Sequence, residues 1–127
     1  MNDIPYADRP YRPCVGIFLL NADNMLFAGR RIDNRAEAWQ MPQGGIDHGE
    51  TVMEACLREM GEEIGTRQAE LLQEHDEWLH YDIPQPLADR LWYGRYRGQK
   101  QRWVALRYTG TDADINIETA EPEFCEW

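Results

Sequence analysis

The segment from Trp39 to Gly65, WQMPQGGIDHGETVMEACLREMGEEIG, sets two adjacent glycines ahead of a run that brings its glutamates to five, three of them within REMGEE. On a helix advancing 100° per residue, Glu59, Glu62 and Glu63 fall within about a 100° arc. At ~6 Å and an effective dielectric of ~20, each close pair of ionised carboxylates costs roughly 3 kcal/mol. Two readings stand: a solvated acidic face, or a site for a hard cation, because Mg²⁺ and Mn²⁺ prefer carboxylate and carbonyl oxygens. Gly61 costs about 1 kcal/mol relative to Ala in a helix interior. Stability is therefore not the only constraint on this stretch.

These side chains need a helix to carry them. Thr51 with Glu54 three residues on forms a capping box, and Gly65 sits where a C-terminal glycine belongs, so the helix is expected from Thr51 to about Ile64. Met53, Leu57, Met60 and Ile64 follow a 3-4 spacing and are expected to form its buried stripe, well away from the carboxylate arc. Upstream, CVGIFLL and MLFAGRR read as a hairpin around Asn21–Asn24, followed by a polar loop, IDNRAEAW. WLHYDI and RWVALRYTG read as later strands, separated by a Pro- and Gly-containing segment from Pro84 to Gly98. One helix in a strand-rich chain suggests a mixed α/β sandwich.

The chain's 127 residues, 43% of them hydrophobic, make one domain with a real core. Three widely spaced cysteines (Cys14, Cys56, Cys125) without a CxxC pair favour free thiols in a reducing compartment, with no disulfide-linked partner. The longest apolar run has seven residues, too short for a membrane span, so a cytoplasmic protein is expected. The net charge of −10 hides a segregation: six bases and no acid from Arg90 to Thr111, then six acids and no base from Asp112 onward. A phosphate partner would need that basic stretch, a bound cation, or both.

The spacing of Gly44, Glu50 and Arg58-Glu59-Met60-Gly61-Glu62-Glu63-Ile64-Gly65-Thr66 resembles the Nudix box, the loop-helix-loop signature of hydrolases acting on a nucleoside diphosphate linked to another group. Only Thr66 departs from it, where a larger apolar residue is usual. YRPCVGI, GRR, WQMPQGG, GQKQRWVAL, DINIET and PEFCEW extend the likeness to the branch holding RNA pyrophosphohydrolases and asymmetric diadenosine polyphosphate hydrolases. The resemblance implies a single Nudix domain over 1–127, with the box at 44–66. It implies an α/β/α sandwich with a mixed β-sheet. Relatives normally continue past the equivalent of Trp127 into another strand and a long helix, so that C-terminal helix is expected to be absent from this chain.

The resemblance also implies roles. Glu59 and Glu63 are the principal metal ligands, aided by the Gly44 carbonyl. Glu62 is a further ligand or the base that deprotonates water, and Glu123 joins the cluster from a loop; read alone it is one more tail acid. Glu50 and Arg58 are structural, and Cys56 belongs to the core. Arg12, Arg31, Gln43, Tyr81, Gln99 and Lys100 match positions facing polyphosphate or nucleotide. Tyr81 also fits a tyrosine tied to diadenosine polyphosphate preference, against a reading as a core strand aromatic. In LWYGRYRGQKQRWVALRY, Trp92, Tyr93, Tyr96 and Trp103 suit either base stacking beside phosphate contacts or a cross-strand aromatic cluster. From the charge segregation alone, and not from the resemblance, Arg95 to Arg102 is expected to guide an anionic polymer. The implied cofactor is Mg²⁺, with Mn²⁺ able to substitute. The implied substrates are 5′-triphosphorylated RNA or dinucleoside polyphosphates. A nucleotide-binding sensor without catalysis, or a hydrolase of another nucleoside diphosphate derivative, is the alternative.

Overall fold

The computed structural model describes residues 4–32 and 39–127. Its strands are β1 (Tyr11–Leu20), β2 (Gly29–Arg31), β3 (Trp39–Gln40), β4 (Gln43–Gly45), β5 (Ala69–Glu74), β6 (Leu79–Asp82), β7 (Gly98–Tyr108) and β8 (Phe124–Glu126). Helix α1 (Val52–Ile64) follows β4, and the single turn α2 (Gln85–Ala88) follows β6. The main sheet runs β4-β1-β7-β5, with β6 also on β7. β1 and β7 are parallel along ten residue pairs, Tyr11–Gly98 to Leu20–Arg107, while the outer strands are antiparallel. A second antiparallel sheet, β3-β2-β8, stands beside it. This is an α/β fold on a mixed sheet.

Alternation along the central pair decides what lies under α1. Val15, Ile17 and Leu19 of β1 and Val104, Leu106 and Tyr108 of β7 form one buried face, which meets Ala55, Cys56, Met60 and Ile64 of α1. The opposite face carries Gly16 beside Trp103; a Cβ at Gly16 would sit 2.5 Å from the indole, so only glycine admits that ring.

The helix has the expected ends. Thr51 Oγ1 accepts from the Glu54 N–H at 3.1 Å, Glu54 accepts from the Thr51 N–H at 3.0 Å, and Gly65 adopts the left-handed region at φ 76°. Its buried stripe differs from expectation. Met60 and Ile64 are buried, but Met53 and Leu57 are only partly so. The inward arc runs from Ala55 through Glu59, Glu63 and Cys56 to Met60 and Ile64. Two carboxylates thus share the core-facing side. A 3-4 count of apolar residues misses this because it assigns every charge to the outside.

The hairpin also differs. Asn21 Oδ1 accepts from the N–H groups of Asp23 and Met25, and Asn24 sits at φ 62°, so the turn forms. Its strands part after the Leu20–Leu26 bridge, and β2 leaves for the second sheet. Most of the loop reading on IDNRAEAW lies outside the described residues. Between β6 and β7, the Pro84–Gly98 segment folds into α2 and a 3₁₀ turn at Leu91–Gly94. Among the described residues no helix is long and apolar enough to cross a membrane, and all three cysteines are free.

Thr51→Ala removes one acceptor of the capping box and is expected to cost about 1 kcal/mol. In urea unfolding the midpoint should fall with an unchanged slope; an unmoved midpoint would show that packing alone holds the first turn.

Candidate active site

Arg58 organises the carboxylates. Its Nε lies 2.7 Å from Glu50 Oε2, its Nη1 2.7 Å from Glu59 Oε1 and 3.2 Å from Glu62 Oε2. Nη2 donates to the Gly45 carbonyl at 2.7 Å and to Glu50 Oε1 at 3.0 Å, and Asp47 stands 3.3 Å away. The planar fork ties β4, the loop before α1 and the helix itself to one cation. Hydrogen bonding to Arg58 lowers the Glu50 pKa, and Glu50 also accepts from the Asp47 N–H. Arg58 in turn is held charged more firmly than a free arginine, chiefly by Glu50.

Glu63 receives no such partner. It is 2% exposed, and both carboxylate oxygens are buried without a hydrogen bond of acceptable geometry. Burial, then the Glu123 charge, push its pKa up to about 10, against a smaller lowering from the Gln43 main chain nearby. Glu59, 8% exposed, is raised by burial despite Arg58. A buried carboxylate with empty lone pairs on both oxygens costs free energy unless it is protonated or meets a cation. That is the chemistry of a hard-cation ligand. Gly44 completes the cradle: a Cβ there would overlap the Glu59 carboxylate, so the main chain can approach it only as glycine. Among the described residues the side chains do not yet converge on one point as a closed coordination shell; Glu59 Oε1 is engaged by Arg58 instead.

A pocket of about 380 Å³ opens beside this cluster. Arg12, Arg31, Gln43, Gly44, Glu59, Glu62, Gln99 and Glu123 line it. Glu63 lines a second cavity, which it shares with Glu59, Glu62 and Glu123. Glu123, which precedes β8, is 3.9 Å from Arg31 and so stands at the cluster although sixty residues separate it from Glu63. Tyr81 is outside the pocket wall but hydrogen-bonds to Gln99 across the β6–β7 pair. At 43% exposure it is not a core aromatic. Lys100 lies elsewhere: its ammonium stands 4.7 Å from the centre of the Trp78 ring.

Three further contributors were not singled out by sequence. Cys14 lines the pocket, its Sγ 3.3 Å from Arg12 Nη1. Gln101 donates to Gln43 at 2.8 Å, and Gly45 leaves room for the Arg12 guanidinium. Gln101 shares the sheet face of Gln99, a period-2 signal that could have found it.

The basic stretch divides. Arg97 is paired with Asp82 at 3.1 Å, donates to the Ala7 carbonyl and lies over the rings of Tyr6 and Tyr11. Arg102 pairs with Glu74 at 3.2 Å and shares Trp78 with Lys100. These cations are engaged within the fold. A continuous track from Arg95 to Arg102 is not what the structure presents. Of the aromatics, Trp103 packs within the sheet, Trp92 and Tyr96 meet edge to face, and Tyr93 is exposed.

The NUDIX domain matches residues 10–127. The RNA pyrophosphohydrolase of Rhodospirillum rubrum is 59% identical over 121 residues, 95% of this chain and 73% of that protein. That of Rickettsia typhi is 54% identical over 122 residues, 96% of this chain and 76% of that protein. The E. coli dihydroneopterin triphosphate pyrophosphohydrolase structure has a TM-score of 0.64 at 20% identity, covering 91% of this chain and 79% of that one. A C. elegans Ap4A hydrolase complex has a TM-score of 0.59 at 18% identity, covering 91% and 80%. These two structural likenesses concern the fold.

The Glu63 carboxyl keeps its proton in the folded chain between pH 4.5 and about 10, where the unfolded chain has released it. The folded state then binds more protons, so metal-free stability should fall as pH rises through that window, by up to about 1.4 kcal/mol per unit. Glu63→Gln should flatten the dependence between pH 6 and 8.5, measured by urea midpoints with chelator present. If the variant keeps the parent's slope, Glu63 is not its source.

Proposed function

The chain belongs to the NUDIX family, whose hydrolases generally use divalent metals such as Mg²⁺, and from that membership we propose that it hydrolyses the 5′ end of triphosphorylated RNA. Water adds across the α–β phosphoanhydride, leaving a 5′-monophosphate on the RNA and releasing pyrophosphate. The observation that carries this is the buried Glu63, whose oxygens have no hydrogen-bond partner, in a cavity that shares Glu59, Glu62 and Glu123 with a pocket lined by Arg12 and Arg31. Relatives above 50% identity that bear the name RNA pyrophosphohydrolase support the choice of RNA.

Glu59 and Glu63 with the Gly44 carbonyl, joined by Glu62 and Glu123, would hold Mg²⁺, or Mn²⁺ in its place. When bound, such ions neutralise phosphate oxygens and lower the pKa of a coordinated water. The chain's own residues do the rest. Arg12 and Arg31 grip the phosphates beyond the scissile bond through paired N–H donors. Gln43 and Gln99 offer uncharged donors along the same wall. Arg58 holds Glu59 in a fixed rotamer, so the ligand set does not have to be ordered at each turnover. Glu62, more exposed than its neighbours with 57% of its side chain accessible, would accept the proton of the attacking water.

Dinucleoside polyphosphates are the second reading, with diadenosine tetraphosphate split asymmetrically to ATP and AMP. The exposed Tyr81, tied to Gln99 at the pocket edge, favours it by offering a ring to a second base.

Glu63→Gln should keep the fold and lose about 10²-fold or more in turnover, the scale of losing one electrostatic stabiliser; turnover within a few-fold of the parent would end the metal-ligand role. Parallel assays with triphosphorylated RNA and diadenosine tetraphosphate in Mg²⁺, with products identified, test the substrate. Pyrophosphate and 5′-monophosphorylated RNA are expected. Tyr81→Ala should weaken the dinucleotide reaction more than the RNA reaction, and equal losses would remove the ring from substrate selection.

A further inference from the structure

The 3₁₀ turn Leu91–Gly94 holds two successive bulky residues in the left-handed region, Trp92 at φ 49° and Tyr93 at φ 59°. Side chains of this size rarely adopt that conformation, and such outliers persist where the surroundings impose them. Here the two rings have different surroundings. The Trp92 ring centre lies 5.1 Å from the guanidinium carbon of Arg12, which lines the catalytic pocket, and Trp92 meets Tyr96 edge to face at 5.8 Å. Tyr93 is 83% exposed, with the Arg95 guanidinium 5.5 Å from its ring centre.

Tyr93 and Arg95 border an open cleft of about 970 Å³ with Tyr6, Arg9 and Asp89. The Arg9 side chain is 9% exposed. Its Nη2 meets Asp89 at 2.6 Å and its Nε donates to the Ile4 carbonyl, while Nη1 is buried without a hydrogen-bond partner. Two arginines against one aspartate leave the cleft with positive charge beside an uncovered aromatic face. Single-stranded nucleic acid is recognised by that combination, because every base has a face to stack and every nucleotide brings a phosphate.

We propose that this cleft is a nucleotide subsite for the body of a single-stranded RNA whose 5′ end occupies the catalytic pocket. Tyr93 stacks a base, and Arg95 meets a neighbouring phosphate. Trp92 links the two sites: its ring lies against Arg12 of the catalytic pocket, and Tyr93 follows it in the chain at the edge of the cleft. The proposal rests on the RNA reading above. It concerns an arginine that the fold has not engaged with a carboxylate, unlike Arg97 and Arg102.

The test compares a 5′-triphosphorylated ten-nucleotide RNA with a triphosphorylated dinucleotide, too short to reach the cleft. Tyr93→Ala should raise KM for the ten-mer about tenfold, within the range for loss of one base stack, with kcat unchanged and the dinucleotide within twofold. Tyr93→Phe should restore the parent's KM, and Tyr93→Leu, which keeps bulk without an aromatic face, should not. Arg95→Ala should lower the salt slope of ten-mer binding by about one. Anisotropy of a 5′-monophosphorylated ten-mer reads the same affinities without turnover, so it decides the subsite even if no pyrophosphate is released. Undiminished ten-mer affinity in Tyr93→Ala overturns the proposal and marks the ring as a surface for some other partner. Equal losses on both RNAs overturn it as well, by making Tyr93 a support of the catalytic pocket.

Discussion

Burial of Glu63 without a counter-charge is the constraint on which the rest of the site turns. The residue occupies the middle of the inward arc of α1, between Glu59 on one side and Cys56 on the other. An unpaired ionised carboxylate taken out of water costs several kcal/mol even after relaxation. That cost must be offset by the apolar contacts of Ala55, Cys56, Met60 and Ile64 with β1 and β7. The helix is therefore anchored by half of its inner face and strained by the other half. Protonation relieves the strain in the absence of metal; a divalent cation relieves it while keeping the charge. If Glu63 takes a metal as proposed, the two solutions would compete for the same oxygens and link proton binding, metal binding and stability at one residue.

Arg58 shows how the remaining acid is managed. One guanidinium faces Asp47, Glu50, Glu59 and Glu62 and also caps the Gly45 carbonyl. It neutralises the outer carboxylates yet leaves Glu63 and Glu123 alone, with Arg31 3.9 Å from the latter. Had Arg58 reached Glu63, the deep ligand would be satisfied and its affinity for an external cation diminished. The division between paired and unpaired acids is the physical content of the box: some carboxylates hold the loop to the helix, others wait for charge.

Much of this was legible in the residues. The capping box, Gly65 and the carboxylate spacing locate α1 to within a residue, because caps and helical period are local physics. Arg12, Arg31, Gln43, Gly44 and Glu123 come from four separate parts of the chain, and only resemblance could join them before the sheet was known. The buried stripe escaped because polarity was taken as a guide to exposure; Leu57 lies just past the edge of the inward arc, Met53 is half-buried in the first turn, and two glutamates occupy the middle of the arc. β5 was missed because AELLQE shows no alternation, its strand character coming from pairing with β7. Lys100 was placed with Gln99 by resemblance, but neighbours on a strand face opposite ways, and its ammonium lies on the Trp78 ring instead.

The same neighbour rule explains how a chain of charge −10 can take a polyanion. Along β7, Gln99 and Gln101 turn toward Gln43 and the pocket, while Lys100 and Arg102 gather on Trp78. Arg97 is held by Asp82 and two tyrosines, so most of the cations in the basic stretch brace the fold. On the proposed reading a smaller set would meet substrate: Arg12 and Arg31, which line the pocket, and Arg95 at the cleft beyond Trp92. Net charge then predicts little about binding; what matters is which cations already have a carboxylate. Arg12, against the Trp92 ring, and Arg95, against the Tyr93 ring, lie on the proposed path from the catalytic pocket to the cleft, and the strained Trp92–Tyr93 turn holds one ring against Arg12 and the other out in solvent.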